Sequence, residues 1–414
     1  MTTFCGFTDA ELARIVRPVA RGAETSHQVR EAFARATWSG IAEPGDRVAG
    51  MLRSILGAQG ALECVTSGDD ATSIAHRLSA ESAHGDEQLG EHEREITEAL
   101  DRWRPRLKST EATAHYERAA RVGISFVTPE DDAWPHPLSD LAYHQPPGLW
   151  VRGDVGRLRD VWRGIAVVGA RASTGYGEHV TMELVSGLCD RGFTIISGAA
   201  YGIDGMAHRS ALASEGFTVA VLAGGVDRLY PSGHDTLLKR IIDDGVVIGE
   251  LPCGWAPTRW RFLQRNRLIG ALGQATVVVE AGLRSGSLNT AHHALNLDRP
   301  VGAVPGPITS ASSAGCHRLL RETPAVCVTA ADEVAQLVNF SESPAPGTSE
   351  SQAAELHPSA TRVLDALSKR TPKTVNVLAG ESGLSESDVR AVIGLLAVNT
   401  LVISRADGWV RLTR

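Results

Sequence analysis

The stretch GIAVVGARASTGYGEHV, residues 164–180, decides the fold. An unbroken apolar run from Ile165 to Val168 stops at Gly169 and gives way to a polar, helix-compatible segment. The same unit recurs downstream, with short apolar, β-rich runs at 193–196, 218–222, 246–248, 275–279 and 301–304. Helical segments such as 178–190 and 205–214 separate most of them. Continuous apolar strands alternating with helices predict a parallel sheet covered on both faces. Loops at the carboxyl ends of such strands are where ligands bind.

Outside this core the patterning changes. Residues up to about 110 carry apolar positions at three- and four-residue spacing, which predicts helices. Acidic, His-containing sequence at 81–98 reads as a helix face or loop, and a bridge rich in Pro and Trp at 134–150 leads into the core. Residues 341–351 have linker composition, polar and rich in Pro and Ser. Beyond them, helices are predicted near 359–367, 375–379 and 386–398, with a turn at 380–383 and strands at 402–404 and 409–412. That order suggests a winged helix. The expected division is therefore a helical domain at 1–110, an α/β core at 111–340 with strands from about 164, a linker at 341–357 and a winged helix at 358–414.

A chain of 414 residues suggests two or three domains, and 43% hydrophobic content can fill their cores. The formal charge of -7 rules out a uniformly basic coat, so any nucleic-acid site must be a local patch. The cysteines (Cys5, Cys64, Cys189, Cys253, Cys316, Cys327) are scattered without a C-x-x-C pair. This argues against a metal site or disulfide framework and fits a reducing compartment. With no signal pattern and no apolar run near ~18 residues, the expected location is the cytoplasm, away from membranes.

The strand-end loops carry the candidate chemistry. The first reads Gly169-Ala-Arg171-Ala-Ser173-Thr-Gly175-Tyr-Gly177. This is not G-x-G-x-x-G, and G-x-x-x-x-G-K-[ST] is absent from the chain, so dinucleotides and triphosphates lack their usual cradle. Arg171 stands where the chain leaves the sheet, in reach of an anion on the next helix; the alternative is a surface arginine paired with a carboxylate. The second loop, Ser197-Gly198-Ala-Ala-Tyr201-Gly202-Ile-Asp204, has small residues that allow close backbone approach. Asp204 reads as a helix-start cap rather than an acid-base group, and His208 as a packed histidine.

The densest feature is Arg259-Trp260-Arg261-Phe262-Leu-Gln264-Arg265-Asn266-Arg267, four arginines in nine residues interleaved with aromatics. Guanidinium groups suit phosphates and rings stack on unpaired bases, a combination for single strands rather than duplex. The alternative is a solvated basic helix start whose aromatics belong to the core. Ser285-Gly286-Ser287 offers hydroxyls at a helix N-terminus, a further anion site, and Pro305-Gly306 closes the same edge.

Together these motifs resemble the DNA-processing protein A (DprA/Smf) family. The resemblance rests on Gly169-Ala-Arg171, Ser197-Gly-x-Ala-Tyr-Gly-Ile-Asp204, Gly224-Gly-Val-Asp227 with Tyr230-Pro231, and Gln264-Arg-Asn-Arg267. Glu280 with Ser285-Gly-Ser287 and Ala303-Val-Pro-Gly306 complete it. It covers roughly 134–334, and more loosely the helical (SAM-like) N-terminal region and the winged helix. It implies an extended Rossmann-like fold, cooperative binding of single-stranded DNA, homodimerisation, and delivery of that DNA to the RecA recombinase in natural transformation. It also implies no catalytic residues, metal or cofactor. Arg171 matches an arginine that looks like a phosphate ligand, and Arg265, Asn266 and Arg267 match the family's R-N-R run. Ser232 stands where some members are basic, and Cys316-His317 replaces a pair that usually ends in Asn; both bear on affinity more than on fold.

Residues and resemblance together predict a site built from Gly169, Arg171, Ser173, Gly198, Tyr201, Gly202, Arg259, Arg261, Phe262, Gln264, Arg265, Asn266, Arg267, Ser285, Gly286 and Ser287. Two other readings compete. Phosphoribohydrolases acting on nucleoside monophosphates share the architecture but carry P-G-G-x-G-T-x-x-E, and His293 stands where that glutamate would be. A duplex-DNA regulator would act through the winged helix. Its third helix, however, opens with Glu386 and Asp388 and offers only Arg390, which points to protein contact or self-association instead.

Overall fold

The computed structural model describes residues 3–20, 22–81, 89–107, 109–338, 358–398, 401–405 and 407–412. The expected linker at 341–357 and part of the acidic 81–98 stretch lie outside the described residues. The chain divides into two compact units, Met1–Ser341 and Glu342–Arg414.

The first unit opens with helices α1 (Asp9–Val16), α2 (Ser26–Ile41), α3 (Arg47–Ser67), α4 (Ala71–Glu81), α5 (Leu89–Trp103) and α6 (Ser109–Arg121). Thr8 and Thr25 start α1 and α2 with reciprocal caps, each side chain bonded to the residue three along. Helix α3 breaks at Gly57, whose φ of 71° suits glycine. The amides of Ala58 and Gln59 then restart the helix on the Glu31 carboxylate, both at 3.1 Å.

Strands β1 (Ser125–Val127) and β2 (Leu149–Gly153) follow. The alternating part comprises β3 (Gly164–Val168), α7 (Gly175–Asp190), β4 (Thr194–Ser197), α8 (Ile203–Ala213), β5 (Thr218–Leu222), α9 (Asp235–Asp244) and β6 (Val246–Gly249). It continues with α10 (Arg259–Leu272), β7 (Ala275–Val278), α11 (Ser287–Leu295), β8 (Val301–Ala303), α12 (Ala314–Glu322), β9 (Val326–Cys327) and α13 (Ala331–Leu337). Among the described residues these strands form one sheet in the order β1-β2-β6-β5-β4-β3-β7-β8-β9. Everything from β6 to β9 is parallel, and β1 and β2 are antiparallel.

The six apolar runs emerge as β3 to β8, so the Rossmann-like fold follows from the sequence pattern. Strands β1, β2 and β9 do not: they are short, and Pro-rich sequence flanks β2. Their consequence is large, because the antiparallel pair joins the helices to the sheet. Trp150 on β2 packs against Tyr116 and Phe126, with ring centroids 5.8 and 4.7 Å away, and Phe33 of α2 stacks on Tyr116 at 6.1 Å. The tyrosine hydroxyl donates to the Ala32 carbonyl at 2.8 Å. One apolar cluster thus runs from Phe4 through the helices to Leu222 and Val247 on the sheet.

The second unit consists of α14 (Pro358–Ala366), α15 (Val375–Ser382), α16 (Glu386–Val398) and the hairpin β10 (Val402–Arg405) and β11 (Gly408–Arg411). Helix, helix-turn-helix and hairpin come in the anticipated order, with Gly383 closing α15 in the left-handed region. The acids opening α16 have local work. Asp388 accepts from the Ser385 hydroxyl at 2.6 Å, and Glu386 pairs with Arg390 at 2.7 Å.

His208 is enclosed between α8 and the sheet. Its Nδ1–H donates to the Thr218 hydroxyl at 2.8 Å, which itself donates to the Ile195 carbonyl at 2.9 Å. Burial, reinforced by His234, Arg265 and Arg209, pulls the imidazole down to about 3. The folded chain therefore keeps His208 neutral where the unfolded chain protonates it below about 6.5, so stability is full above that pH and falls toward pH 3. One such proton costs about 1.4 kcal/mol per pH unit. Denaturant unfolding at pH 7, 6, 5 and 4 should show a shallower acid loss in His208→Gln than in the parent; equal slopes would disprove the assignment.

Candidate nucleic-acid interface

Parallel strands β3 to β6 step across the sheet one way, and the chain then returns to lay β7 on the other side of β3. The crevice between the carboxyl ends of β3 and β7 is the usual ligand position in such sheets. Here Glu280, fully buried, fills it. Its carboxylate accepts the Thr174 N–H at 2.9 Å and the Thr174 hydroxyl at 2.6 Å.

The accessible hollow lies one step over, above the ends of β3, β4 and β5. It encloses about 90 Å³ and is lined by Arg171, Gly198, Tyr201, Arg228, Tyr230 and Phe262, among others. The Arg171 guanidinium sits 5.1 Å over the Phe262 ring, and Tyr230 meets that ring at 5.8 Å. Tyr201 and Tyr230 remain 46% and 49% exposed, which leaves aromatic faces available for stacking. The Tyr201 hydroxyl accepts the Gly233 N–H at 3.2 Å, and its ring meets His234 edge-on at 4.8 Å, which fixes its orientation. Arg228 and Tyr230 are not among the residues predicted from sequence. The signal was present, since GGVDRLYP at 224–231 leaves the carboxyl end of β5 as the other loops leave theirs.

The arginine-rich run divides sharply. At the start of α10, Arg259 is exposed and Trp260 is 56% exposed. Arg261 is held by Glu43 of the helical region at 2.9 and 3.1 Å and lies 4.5 Å over Trp255. Gln264 faces Gly45, where a Cβ would stand 2.6 Å from its Oε1. Arg265, Asn266 and Arg267 are buried. Arg265 Nη1 donates to the carbonyls of Gly198 at 2.7 Å and Val221 at 2.5 Å. Burial brings this guanidinium down to about 10 despite the opposing charge of Asp204. Asn266 donates to the Gly286 carbonyl and to Asn289 at 3.3 and 3.2 Å. Arg267 reaches the His144 carbonyl at 3.1 Å and both oxygens of Glu250 at 2.8–2.9 Å.

The expectation that Arg261, Arg265 and Arg267 face phosphate is therefore revised. Their charge and donors are spent inside the protein, because past its first turns α10 runs beneath the strand ends rather than along the surface. Asp204 likewise looks inward, accepting the Gly198 N–H at 3.2 Å, and burial pushes its carboxyl up. The glycines serve packing: a Cβ on Gly198 would stand 2.3 Å from Arg265, and one on Gly202 2.2 Å from the Ala170 carbonyl. Gly169 similarly makes room for Ile203. Ser173 donates to Glu178 at 2.9 Å, and the Ser285 and Ser287 hydroxyls bond each other at 2.7 Å, while Gly286 is exposed.

A larger cavity of about 670 Å³ opens in the helical region. Its floor includes Phe4, Phe33 and Ile41, and its rim carries Glu63 and Glu111. Its Arg106 is paired with Glu43 at 3.1 Å, so this cavity does not suit phosphates. Among the described residues, no His, Cys, Asp and Glu side chains cluster as a metal site would require. Burial raises the thiols of Cys5, Cys253 and Cys316 to about 11, 12 and 12, far from nucleophilic readiness. No helix among the described residues is long and apolar enough to cross a membrane.

The sequence profile of a family described as DNA recombination-mediator protein A matches residues 125–339. The chain is 46% identical over 310 residues to a putative DNA processing protein DprA of Mycobacterium tuberculosis, covering 71% of this chain and 78% of that protein. It is 35% identical over 282 residues to the protein Smf of Escherichia coli, covering 66% and 72% respectively. An X-ray structure of DNA processing protein A (DprA) from Streptococcus pneumoniae superposes with a TM-score of 0.55 at 27% identity. That alignment covers 74% of this chain and 97% of the other.

The buried Arg267–Glu250 pair gives a direct test of the scaffold. Glu250→Ala strands a guanidinium in the interior and should cost about 3–5 kcal/mol. Replacing both partners at once, Glu250→Leu with Arg267→Met, should cost clearly less. Urea unfolding of the two variants checks the order.

Proposed function

Since the chain belongs to the DNA recombination-mediator protein A (DprA/Smf) family, we propose that it binds single-stranded DNA on the strand-end hollow and passes it to the RecA recombinase. One observation carries the reading: Arg171 stands exposed over Phe262, with Tyr230 and Tyr201 beside it. Guanidinium groups at Arg171, Arg228 and Arg259 hold phosphates, and the rings of Tyr201, Tyr230 and Phe262 receive unpaired bases. Duplex bases are already stacked and offer the rings nothing. Arg265, Asn266, Arg267, Arg261 and Gln264 build the floor and its link to the helices, while Gly286 and Ser285 border the site.

In this reading the protein protects incoming single strands and loads RecA on them during natural transformation and recombination. The family's description as a recombination mediator supports that role. The role is one of binding without turnover. Glu280 fills the crevice in which a nucleotide would sit, and His293 replaces the hydrolases' acid-base glutamate. A homodimer is favoured by β9, the edge of the sheet among the described residues, where Val326 is 49% exposed. The six unpaired cysteines agree with a cytoplasmic setting.

Titration of labelled oligothymidylate and of a duplex at several salt concentrations tests the site. Arg171→Ala should weaken single-strand binding about tenfold and flatten the salt dependence by roughly 0.7 in log–log slope, one phosphate contact. Tyr230→Ala should cost about 1–3 kcal/mol of stacking, with Tyr230→Phe close to the parent. Preference for duplex, or hydrolysis of nucleoside monophosphates in a parallel assay, would sink the proposal.

A further inference from the structure

We infer that Glu280 is a positioning residue: a built-in carboxylate that occupies the phosphate seat of this sheet topology and thereby fixes the loop presenting Arg171. The inference rests on the reading of Arg171 as a phosphate ligand, and it adds the group that holds Arg171 in place.

The β3–β7 ladder extends past the strand ends, with the Val279 N–H donating to the Val168 carbonyl at 3.1 Å. Glu280 comes next and so stands beside residues 169–174. It is 1% exposed. One carboxylate oxygen accepts the Thr174 N–H at 2.9 Å; the other accepts the Thr174 hydroxyl at 2.6 Å and the Ser312 hydroxyl at 3.2 Å. The Thr174 oxygen in turn accepts the Gly177 N–H at 3.2 Å, so the contact relays directly into the first turn of α7. These are the amide and hydroxyl donors that a helix N-terminus offers a ligand phosphate, and the positive end of the helix dipole favours an anion there. The seat is tailored to its occupant, since a Cβ on Gly177 would lie 2.2 Å from the carboxylate.

The loop is held at its other end as well. The Ala170 carbonyl accepts the Ile203 N–H at 3.2 Å, and Gly202 packs under Ala170 and Arg171. Arg171 lies between these two clamps. With the Glu280 carboxylate on the Thr174 amide, a DNA phosphate at this loop is met by the Arg171 side chain.

The test is a double-mutant cycle on the full chain with oligothymidylate, using Glu280→Gln, Arg171→Ala and both together. Amide hydrogen exchange is followed in the unbound proteins. Gln keeps the size but cannot accept on both arms. Glu280→Gln should weaken binding about five- to tenfold, yet less than about twofold in the Arg171→Ala background, because coupled residues are not additive. Exchange over 170–177 should quicken about tenfold while the rest of the sheet is unchanged. Gly177→Ala, which improves helix propensity but displaces the carboxylate, should behave like Glu280→Gln and serves if that variant folds poorly.

Equal weakening in both backgrounds, or unaltered exchange over 170–177, would overturn the inference. If Arg171→Ala leaves affinity intact while Glu280→Gln still quickens exchange, the single-strand site is misplaced, and the clamp on the loop stands on its own.

Discussion

A guanidinium enclosed beneath the ends of two parallel strands must find acceptors for its N–H groups, and it has them only if the strand ends are placed to supply them. Arg265 takes the Gly198 carbonyl at the end of β4 and the Val221 carbonyl near the end of β5. Asp204 balances its charge and in turn receives the Gly198 amide. Loop 197–204, the tip of β5 and helix α10 are therefore mutually dependent. A side chain on Gly198 would displace the guanidinium, and loss of Asp204 would leave it unbalanced. An unpaired buried charge is among the costlier defects a fold can carry. Two rings of the hollow hang from this arrangement, because Tyr201 belongs to one of the tied loops and Phe262 to the helix.

The arginines of this protein divide by what surrounds them. Arg265, Arg267 and Arg261 have carbonyls and carboxylates inside the protein, whereas Arg171, Arg228 and Arg259 reach solvent. The division reconciles a net charge of -7 with the proposed phosphate-binding edge. Attraction needs only a few exposed cations where aromatic faces also stand open, and buried cations add stiffness rather than long-range field. Arg171 bridges the two classes. Its side chain is exposed, but its backbone is pinned between Gly202 and the Glu280 clamp.

The sheet was legible because each strand from β3 to β8 is buried on both faces and reads as an unbroken apolar run. Strand β9 has two residues, too short to leave a pattern. Strands β1 and β2 each pair on both sides or at an edge in ways that a three- or five-residue run beside prolines does not announce. The site was half legible. Arg171 and Tyr201 follow from their places at strand ends, and Phe262 from the aromatic residues that open α10. The basic run at 259–267 misleads because composition names the charges and not the face of the helix they occupy. One sign was available: Leu268, Ile269, Ala271 and Leu272 continue the helix without a polar break, so its second half is enclosed on all sides and Arg265 to Arg267 fall at the start of that half. Partners such as Glu43 and His144 lie more than a hundred residues from α10 in sequence, and nothing local announces them.

The same distant partners bear on how the helical region relates to the site. Glu43 and Gly45, between α2 and α3, meet Arg261, Gln264 and Arg267 on α10, and His144 of the Pro-rich bridge joins Arg267 and the Gly45 carbonyl. Trp150 adds an apolar seam from β2 into α2, with its indole N–H on Ser39 at 3.3 Å. A detachable module would meet the sheet through a polar, mostly wet contact. This contact instead combines a continuous aromatic cluster with charges that are neutralised only across it. The described residues of the first unit therefore form one compact body in which the helices fix α10 from one side and the strand ends fix it from the other. The hollow can be shallow and still hold its rings and Arg171 in register, because the helix beneath it is gripped on both faces.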